Sequence, residues 1–177
     1  MSKINLGIIG GGQLGSLLSV AAKKLNIQTI IYSDDQDAPA QNFSDHFIFG
    51  NYNDKDKIAE FVSKVDVITY EFENIPFDTL NEINKLKKVL PKPSVNRLIQ
   101  HRLAEKDFVN KLNIRTTRYV SIEKKSDIET LEDFLPGILK TTTMGYDGKG
   151  QHPIKKIEDL ENLNLDFSKG YLLEKLV

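Results

Sequence analysis

Short apolar runs alternate with amphipathic stretches along the first ninety residues of the chain. The apolar runs have the length and composition of buried strands, and they lie at 4–9, 28–32, 46–49, 67–70 and 89–90. Between them, apolar positions recur at helical spacing in the stretches 14–25, 58–65 and 77–86. In the first stretch they fall on one face of a helix, at positions 14, 17, 18, 21, 22 and 25. This alternation predicts an α/β fold with βαβ units and a mainly parallel sheet.

A proline pair interrupts the alternation at Pro91-Lys92-Pro93-Ser94 and predicts a domain boundary, with one domain over 1–93 and another over 94–177. Beyond the boundary, the pattern predicts helices at 97–112 and 127–135 and strands at 119–121, 138–140 and 172–177. A glycine-containing loop is expected at 142–150, and the acidic residues of 158–166 are assigned to a surface helix. Because the last strand ends at the terminus, we expect it to leave an unpaired sheet edge.

Composition narrows the class of protein. The 177 residues include 24 basic and 25 acidic side chains and no cysteine. A near-neutral chain is not expected to bind nucleic acid, and the lack of cysteine excludes disulfide scaffolds, zinc–thiolate sites and thiol nucleophiles. No stretch reaches the roughly 18 apolar residues that span a bilayer, and glycines interrupt the N-terminal apolar run, so neither a membrane partner nor a signal peptide is expected. We expect a cytoplasmic protein.

The charges are unevenly distributed along the chain. Residues 34–82 carry 12 acidic and 3 basic side chains, whereas residues 83–118 carry 10 basic and 2 acidic side chains. Such segments form either solvated faces or a cationic wall that faces a phosphate-bearing ligand. The sequence leaves both interpretations open.

A glycine-rich turn follows the first predicted strand. The segment Gly10-Gly11-Gly12-Gln13-Leu14-Gly15 satisfies G-x-G-x-x-G at the mouth of a helix, where unpaired N–H groups attract anions. Asp34 follows Gly15 by 19 residues, where a dinucleotide enzyme places the carboxylate that holds a ribose hydroxyl. Two interpretations stay open: a dinucleotide-dependent oxidoreductase, or a turn that only lets helix and strand pack.

An acidic segment, Tyr70-Glu71-Phe72-Glu73-Asn74-Ile75-Pro76, follows the fourth predicted strand. Ligands bind at the carboxyl ends of parallel strands, so Glu71, Glu73 and Asn74 are placed for ligand contact. The alternative is an acidic loop that caps the next helix.

A lysine at the end of a strand precedes the third motif. Lys140 is followed by a loop with three glycines in six residues, 145–150, and by a further lysine at 149. A strand lysine can reach phosphate oxygens as a point charge, and a mobile glycine loop can close over a triphosphate. The loop is not a Walker A motif, and the alternative is a flexible hairpin.

Together these segments resemble one family, the 5-(carboxyamino)imidazole ribonucleotide synthases, which are ATP-grasp carboxylating enzymes of bacterial and fungal purine biosynthesis. The residues that carry the resemblance, which covers the whole chain, are 8–15, 70–76, 102–106, 139–141 and 145–151. The resemblance implies a Rossmann-like pre-ATP-grasp domain with a parallel sheet over 1–93, followed by the first part of an α+β ATP-grasp domain over 94–177. In this family the glycine turn faces the ribonucleotide substrate rather than NAD. The implied substrate contacts are Gly12, Gln13, Leu14 and Glu73.

The resemblance also implies an ATP site in the second domain. Arg102 and Lys140 are its phosphate contacts, 145–151 its lid, and 174–177 the strand whose backbone meets adenine, with Glu174 accepting from the exocyclic amine. The full implied ATP-binding set is Arg102, Lys140, Gly145, Tyr146, Asp147, Gly148, Lys149, Gly150, Gln151, Glu174, Lys175, Leu176 and Val177. The implied catalytic set is Tyr146, Asp147 and Lys149, with Asp147 assigned to proton transfer.

The implied substrates are ATP, bicarbonate and aminoimidazole ribonucleotide, with Mg²⁺ as the metal. The family continues beyond the position of Val177 with the magnesium ligands, so no metal ligand is expected in this chain, which we interpret as an inactive fragment. Members often form dimers, so a homodimer is among the expectations. The alternatives are another ATP-grasp ligase, of the glycinamide ribonucleotide transformylase or biotin carboxylase type, an NAD-dependent oxidoreductase, or a non-catalytic nucleotide-binding module.

Overall fold

The computed structural model describes residues 4–145 and 150–177. The chain divides into two compact units, Met1–Arg97 and Leu98–Val177. The first unit contains a parallel sheet and the second an antiparallel sheet. The predicted α/β architecture is therefore observed. The domain boundary predicted at 93/94 stays a prediction.

The first unit is a four-stranded parallel sheet in the order β3-β2-β1-β4. Its strands are β1 (Asn5–Ile9), β2 (Gln28–Ser33), β3 (His46–Phe49) and β4 (Val67–Tyr70). Its helices are α1 (Gln13–Lys24), α2 (Lys55–Ser63) and α3 (Phe77–Leu86). These elements confirm the predicted alternation, while the apolar pair at 89–90 contributes an isolated parallel bridge between Ile68 and Val89.

Helix α1 packs through its small residues and leaves its leucines exposed. Its buried residues are Gly15, Ser16, Ser19 and Ala22. A Cβ atom on Gly15 would lie 2.9 Å from the Gly10 carbonyl oxygen, so only glycine allows this close approach of helix and turn. Leu14 and Leu17 are consequently 57% and 65% exposed. The apolar stripe predicted the helix correctly, but Ala22 is the one member of that stripe on its buried face.

Helix α2 begins with a side-chain cap. The carboxylate of Asp54 accepts a hydrogen bond from the Lys57 backbone N–H at 3.0 Å. We expect Asp54→Ala to lower the free energy of unfolding by about 1 kcal/mol, because one N–H of the first turn loses its acceptor. Urea unfolding followed by circular dichroism measures the change, and Asn53→Ala, on the exposed neighbouring residue, is the control. A loss no larger than that of the control would contradict the assignment of Asp54 as the cap.

The second unit is built on an antiparallel sheet in the order β5-β8-β6-β7. Its strands are β5 (Tyr119–Ile122), β6 (Gly137–Thr141), β7 (Gln151–Ile154) and β8 (Tyr171–Lys175). The helices of this half of the chain are α4 (Pro93–Ile99), α5 (Arg102–Lys111) and α6 (Ile157–Glu161).

Four predictions for this half are corrected. The helix predicted at 97–112 is divided between α4 and α5, because His101 has extended backbone and its side chain accepts from the Ala104 N–H as the cap of α5. The helix predicted at 127–135 is two 3₁₀ turns, Lys125–Thr130 and Glu132–Phe134. The acidic surface helix is short and ends at Glu161. The last strand, β8, pairs on both sides with β5 and β6, so the predicted open edge at this strand is wrong.

Candidate nucleotide-binding site

One face of the antiparallel sheet packs on the buried core of this unit, and the opposite face carries polar side chains next to the buried Leu172. Alternate side chains point to opposite faces of a strand, and Leu139 and Leu173 belong to the buried core on one of them. Their neighbours Lys140 and Glu174 therefore face the opposite side. Tyr119 is the register partner of Glu174 on β5 and shares that polar face. The three strands thus place an ammonium, a carboxylate and a phenol side by side.

The carboxylate of Glu174 is shared by two lysines. Its Oε2 lies 2.7 Å from Nζ of Lys140 and its Oε1 lies 3.0 Å from Nζ of Lys106, which α5 carries. The three side chains are only 12%, 17% and 16% exposed, in the order Glu174, Lys140, Lys106. Burial raises the pKa of Glu174, but the hydrogen bonds and charges of the two lysines outweigh burial and hold that pKa below its ordinary value. The cluster carries a net positive charge.

Arg102 contacts the start of the loop at 142–150, called here the glycine-containing segment. Its backbone N–H donates to the Thr142 carbonyl at 2.8 Å, and its guanidinium donates through NH2 to the Gly145 carbonyl. Its Nε is buried and has no partner among the residues that the structure describes. At the other end of the segment, Thr141 N–H donates to the Gly150 carbonyl at 3.1 Å. The two predicted phosphate contacts, Arg102 and Lys140, are therefore both fixed next to the start of this segment.

The remaining predicted ATP residues fall into two groups. Gly145, Gly150 and Gln151 lie at the ends of the predicted lid, while Tyr146, Asp147, Gly148 and Lys149 lie outside the described residues. In the predicted adenine strand, the N–H groups of Lys175 and Leu176 already donate to the Arg118 and Pro136 carbonyls. The Lys175 carbonyl also accepts from the Thr117 hydroxyl at 2.7 Å, so Leu176 and Val177 are the exposed residues of this strand end.

A carboxylate fills the anion position of the glycine turn in the first unit. Gly10 has φ +106°, a conformation that favours glycine, and the Gly12 N–H donates to Glu71 Oε1 at 2.8 Å. A Cβ atom on Gly10 would lie 2.6 Å from the same oxygen. An incoming pyrophosphate would meet this negative charge where a dinucleotide-binding turn offers free N–H groups. The geometry therefore disfavours the dinucleotide interpretation of the motif.

The predicted substrate contacts of the first unit are accessible. Gln13 and Leu14 are exposed in the first turn of α1, Gly12 is half-buried, and Glu73 is exposed beyond the end of β4. Asn74 is half-buried, and its Nδ2 has no partner within 4–145 and 150–177. Glu71, which the sequence placed among the ligand contacts, is instead bonded to the turn itself.

Sequence reasoning missed Lys106 as part of the polar cluster. The signal that could have identified it is its spacing of four residues from Arg102, which places both cations on one face of α5. It also missed Tyr52, whose pKa is raised by burial and then by the charge of Asp34, the carboxylate considered for a ribose contact.

Tyr32 and Tyr52 make the first unit sensitive to alkaline pH. Burial, followed by the charges of Asp54 and Asp34, raises the pKa of Tyr32 to about 12, and burial followed by Asp34 also raises that of Tyr52. Above pH 10 an unfolded chain loses these protons while the folded unit keeps them, so the stabilising contribution is complete below pH 10 and lost towards pH 12. We expect the free energy of unfolding to fall by about 1.4 kcal/mol per pH unit for each retained proton. Urea unfolding between pH 9 and 11.5 tests this. Tyr32→Phe should reduce the slope of the free energy of unfolding against pH.

Within residues 4–145 and 150–177, no group of three or more histidine, aspartate or glutamate side chains is placed to hold a metal ion. No described helix is long and apolar enough to cross a membrane.

Curated relatives match most of this chain. An N5-carboxyaminoimidazole ribonucleotide synthase from Brucella melitensis is 37% identical over 164 residues, which is 90% of this chain and 44% of that protein. The synthase from Aquifex aeolicus is 34% identical over an alignment of 178 positions, and the match covers 98% of this chain and 47% of that protein. The chain thus spans about half the length of these two relatives.

Solved structures of such synthases also match nearly the whole of this chain. The ADP complex of N5-carboxyaminoimidazole synthetase from Staphylococcus aureus has a TM-score of 0.90 and 32% identity, and the match covers 99% of this chain and 48% of that chain. An ATP complex of carboxyaminoimidazole ribonucleotide synthase from Aspergillus clavatus has a TM-score of 0.83 and 26% identity, with 99% and 47% covered. Residues 107–177 match the ATP-grasp domain model, and residues 1–100 match the ribonucleotide synthetase preATP-grasp domain. The chain therefore belongs to the ribonucleotide synthetase preATP-grasp family and continues into an ATP-grasp domain.

Proposed function

We propose that this chain provides the ribonucleotide-binding and phosphate-binding half of an ATP-dependent carboxylase of aminoimidazole ribonucleotide. The observation that supports this most is that two cations, Lys140 and Arg102, are both fixed at the start of the glycine-containing segment. The names of the relatives agree with it, since they are synthases of the carboxylated ribonucleotide. A homodimer stays a prediction of the resemblance, and a cytoplasmic location stays a prediction from the sequence composition.

The proposed reaction joins bicarbonate to the exocyclic amine of aminoimidazole ribonucleotide. A bicarbonate oxygen attacks the γ-phosphorus of ATP and ADP leaves, which gives carboxyphosphate. The amine nitrogen then bonds to the carboxyl carbon, phosphate leaves, and the amine loses a proton. Positioning and charge neutralisation are the main contributions that a protein makes to such phosphoryl transfers.

Each unit of this chain has a proposed part in that reaction. Lys140 and Arg102, whose Nε has no partner among the described residues, would neutralise phosphate oxygens, because both are fixed next to the segment that ends at Gly150. Tyr146, Asp147 and Lys149 are proposed to contact bicarbonate and product. In the first unit, Gly12, Gln13, Leu14 and Glu73 are proposed to contact the ribonucleotide.

Mg²⁺ is the metal that the family implies, but the described residues do not fit it. They contain no cluster of three metal-ligating side chains, and the cluster at Glu174 is cationic. We therefore assign no magnesium ligand and no step through the metal to these residues.

The oxidoreductase alternative makes an opposite binding prediction. Titration calorimetry of this chain with ADP and with NADH separates the two, and ADP binding without NADH binding is the expected result. NADH binding without ADP binding would reject the proposal. Other ATP-grasp ligases also bind ADP, so aminoimidazole ribonucleotide and glycinamide ribonucleotide are compared next, and binding of the former alone is expected.

A further inference from the structure

Two cations contact the carboxylate of Glu174, whereas one is enough to neutralise its charge. Each of its oxygens contacts a different ammonium group, that of Lys106 at 3.0 Å and that of Lys140 at 2.7 Å. All three side chains are mostly buried, so a carboxylate left without a partner would be strongly disfavoured there. With two partners, one lysine can leave while the other keeps Glu174 paired.

The contacts of Lys106 indicate that it is the lysine that stays paired with Glu174. The ammonium of Lys106 lies 5.2 Å from the centre of the Tyr119 ring, which adds a cation–π contact. The Tyr119 hydroxyl donates to Asp107 at 2.6 Å and accepts from Asn110 Nδ2 at 3.0 Å, so the ring is tied to the helix that carries Lys106. Lys106 is therefore held from two sides.

Lys140 is placed differently. It directly precedes Thr141 and Thr142. The Thr141 N–H donates to the Gly150 carbonyl, and the Thr142 carbonyl accepts from the Arg102 N–H. A phosphate bound beside the glycine-containing segment would thus attract Lys140, which directly precedes that segment, while Lys106 keeps its contacts with Glu174 and Tyr119. Moving Lys140 to such an anion leaves a neutral pair, Lys106 and Glu174, behind it.

We propose that Lys106 is a positioning residue, the permanent counter-ion that holds Glu174 in place while Lys140 exchanges its carboxylate partner for a nucleotide phosphate. This inference rests on the proposed nucleotide site and adds to it a residue that does not itself contact the nucleotide. It predicts that Lys106 acts on nucleotide affinity only through Glu174.

The first test needs no nucleotide. The titration of the Glu174 carboxyl is followed by ¹³C NMR in the wild type, Lys106→Met, Lys140→Met and the double variant, with Lys111→Met as the control on an exposed lysine of the same helix. We expect the pKa of Glu174 to stay below its ordinary value in each single variant and to rise to or above that value in the double variant. If Lys140→Met alone raises it as far as the double variant does, Lys106 is not a counter-ion and the proposal is wrong. Lys106→Gln, which keeps a polar side chain, replaces Lys106→Met if the latter does not fold.

The second test is a double-mutant cycle on ADP affinity, measured by titration calorimetry. Lys106→Met is expected to weaken binding about 10-fold in the wild type but to have no effect in the Glu174→Gln background. Equal losses in both backgrounds would mean that Lys106 acts independently of Glu174, which overturns the proposal. If the wild-type chain binds no ADP, the proposed function fails, and the Glu174 titration alone decides whether Lys106 is the counter-ion.

Discussion

Replacing Lys140 with methionine is expected to weaken ADP binding by about 100-fold, equivalent to about 2.7 kcal/mol. Hydrogen bonds to charged groups contribute roughly 1.5–3 kcal/mol, and methionine keeps the length of the side chain while removing its charge. The fold should persist, because Lys106 still contacts Glu174 at 3.0 Å after the change. Titration calorimetry with ADP, together with thermal unfolding, measures both effects.

The control for this prediction is Lys155→Met. Lys155 is an exposed lysine of the same unit that follows β7. It also loses one positive charge, so any long-range electrostatic effect on ADP is matched. We expect its ADP affinity to change less than 3-fold at ~0.15 M salt, where exposed charges are largely screened. Equal losses in the two variants would show that Lys140 contributes only to the general charge of the unit.

The first unit was predictable because its elements are local in sequence. The strands at 28–32 and 67–70 are apolar runs bounded by helical patterns, and a parallel sheet follows from that alternation. The packing face of α1 was not predictable from hydrophobicity. A Cβ atom on Gly15 would lie 2.9 Å from the Gly10 carbonyl oxygen, and such a close approach selects small residues instead of leucines. Contact distance, rather than hydrophobicity, decides which face packs.

The second unit was less predictable because long-range pairing determines it. Strand β8 comes last in the chain but lies between β5 and β6 in the sheet, and no local pattern reports this order. Lys140 could be proposed from its place directly before the glycine-containing loop, whereas Arg102 was implied only by the family resemblance. The spacing of four residues places Lys106 on the helix face of Arg102, but its contact with Glu174 was not predictable, because it joins residues 68 positions apart. The same long-range pairing makes Glu174 a buried ion-pair partner.

The glycine turn of the first unit supplies the second large effect. We expect Glu71→Ala to lower the free energy of unfolding by about 2–3 kcal/mol, because the Gly12 N–H loses a charged acceptor that lies 2.8 Å away. The change also empties the space beneath Gly10, whose Cβ position lies within 2.9 Å of the Glu71 Cγ, Cδ and Oε1 atoms. Urea unfolding followed by circular dichroism measures the loss, and Asp37→Ala, on an exposed carboxylate of the same unit, is the control.

Glu71→Gln separates the hydrogen bond from the charge. Glutamine keeps Oε1 as an acceptor for the Gly12 N–H and fills the same space, so its expected cost is about 1 kcal/mol, the difference between a charged and a neutral acceptor. Amide hydrogen exchange at Gly12, measured by NMR, reports the bond directly. Protection should persist in Glu71→Gln and disappear in Glu71→Ala. If Gly12 stays protected in Glu71→Ala and stability matches the Asp37→Ala control, the turn is held by its backbone alone. In that case the carboxylate would be free for a ligand, as the sequence first suggested.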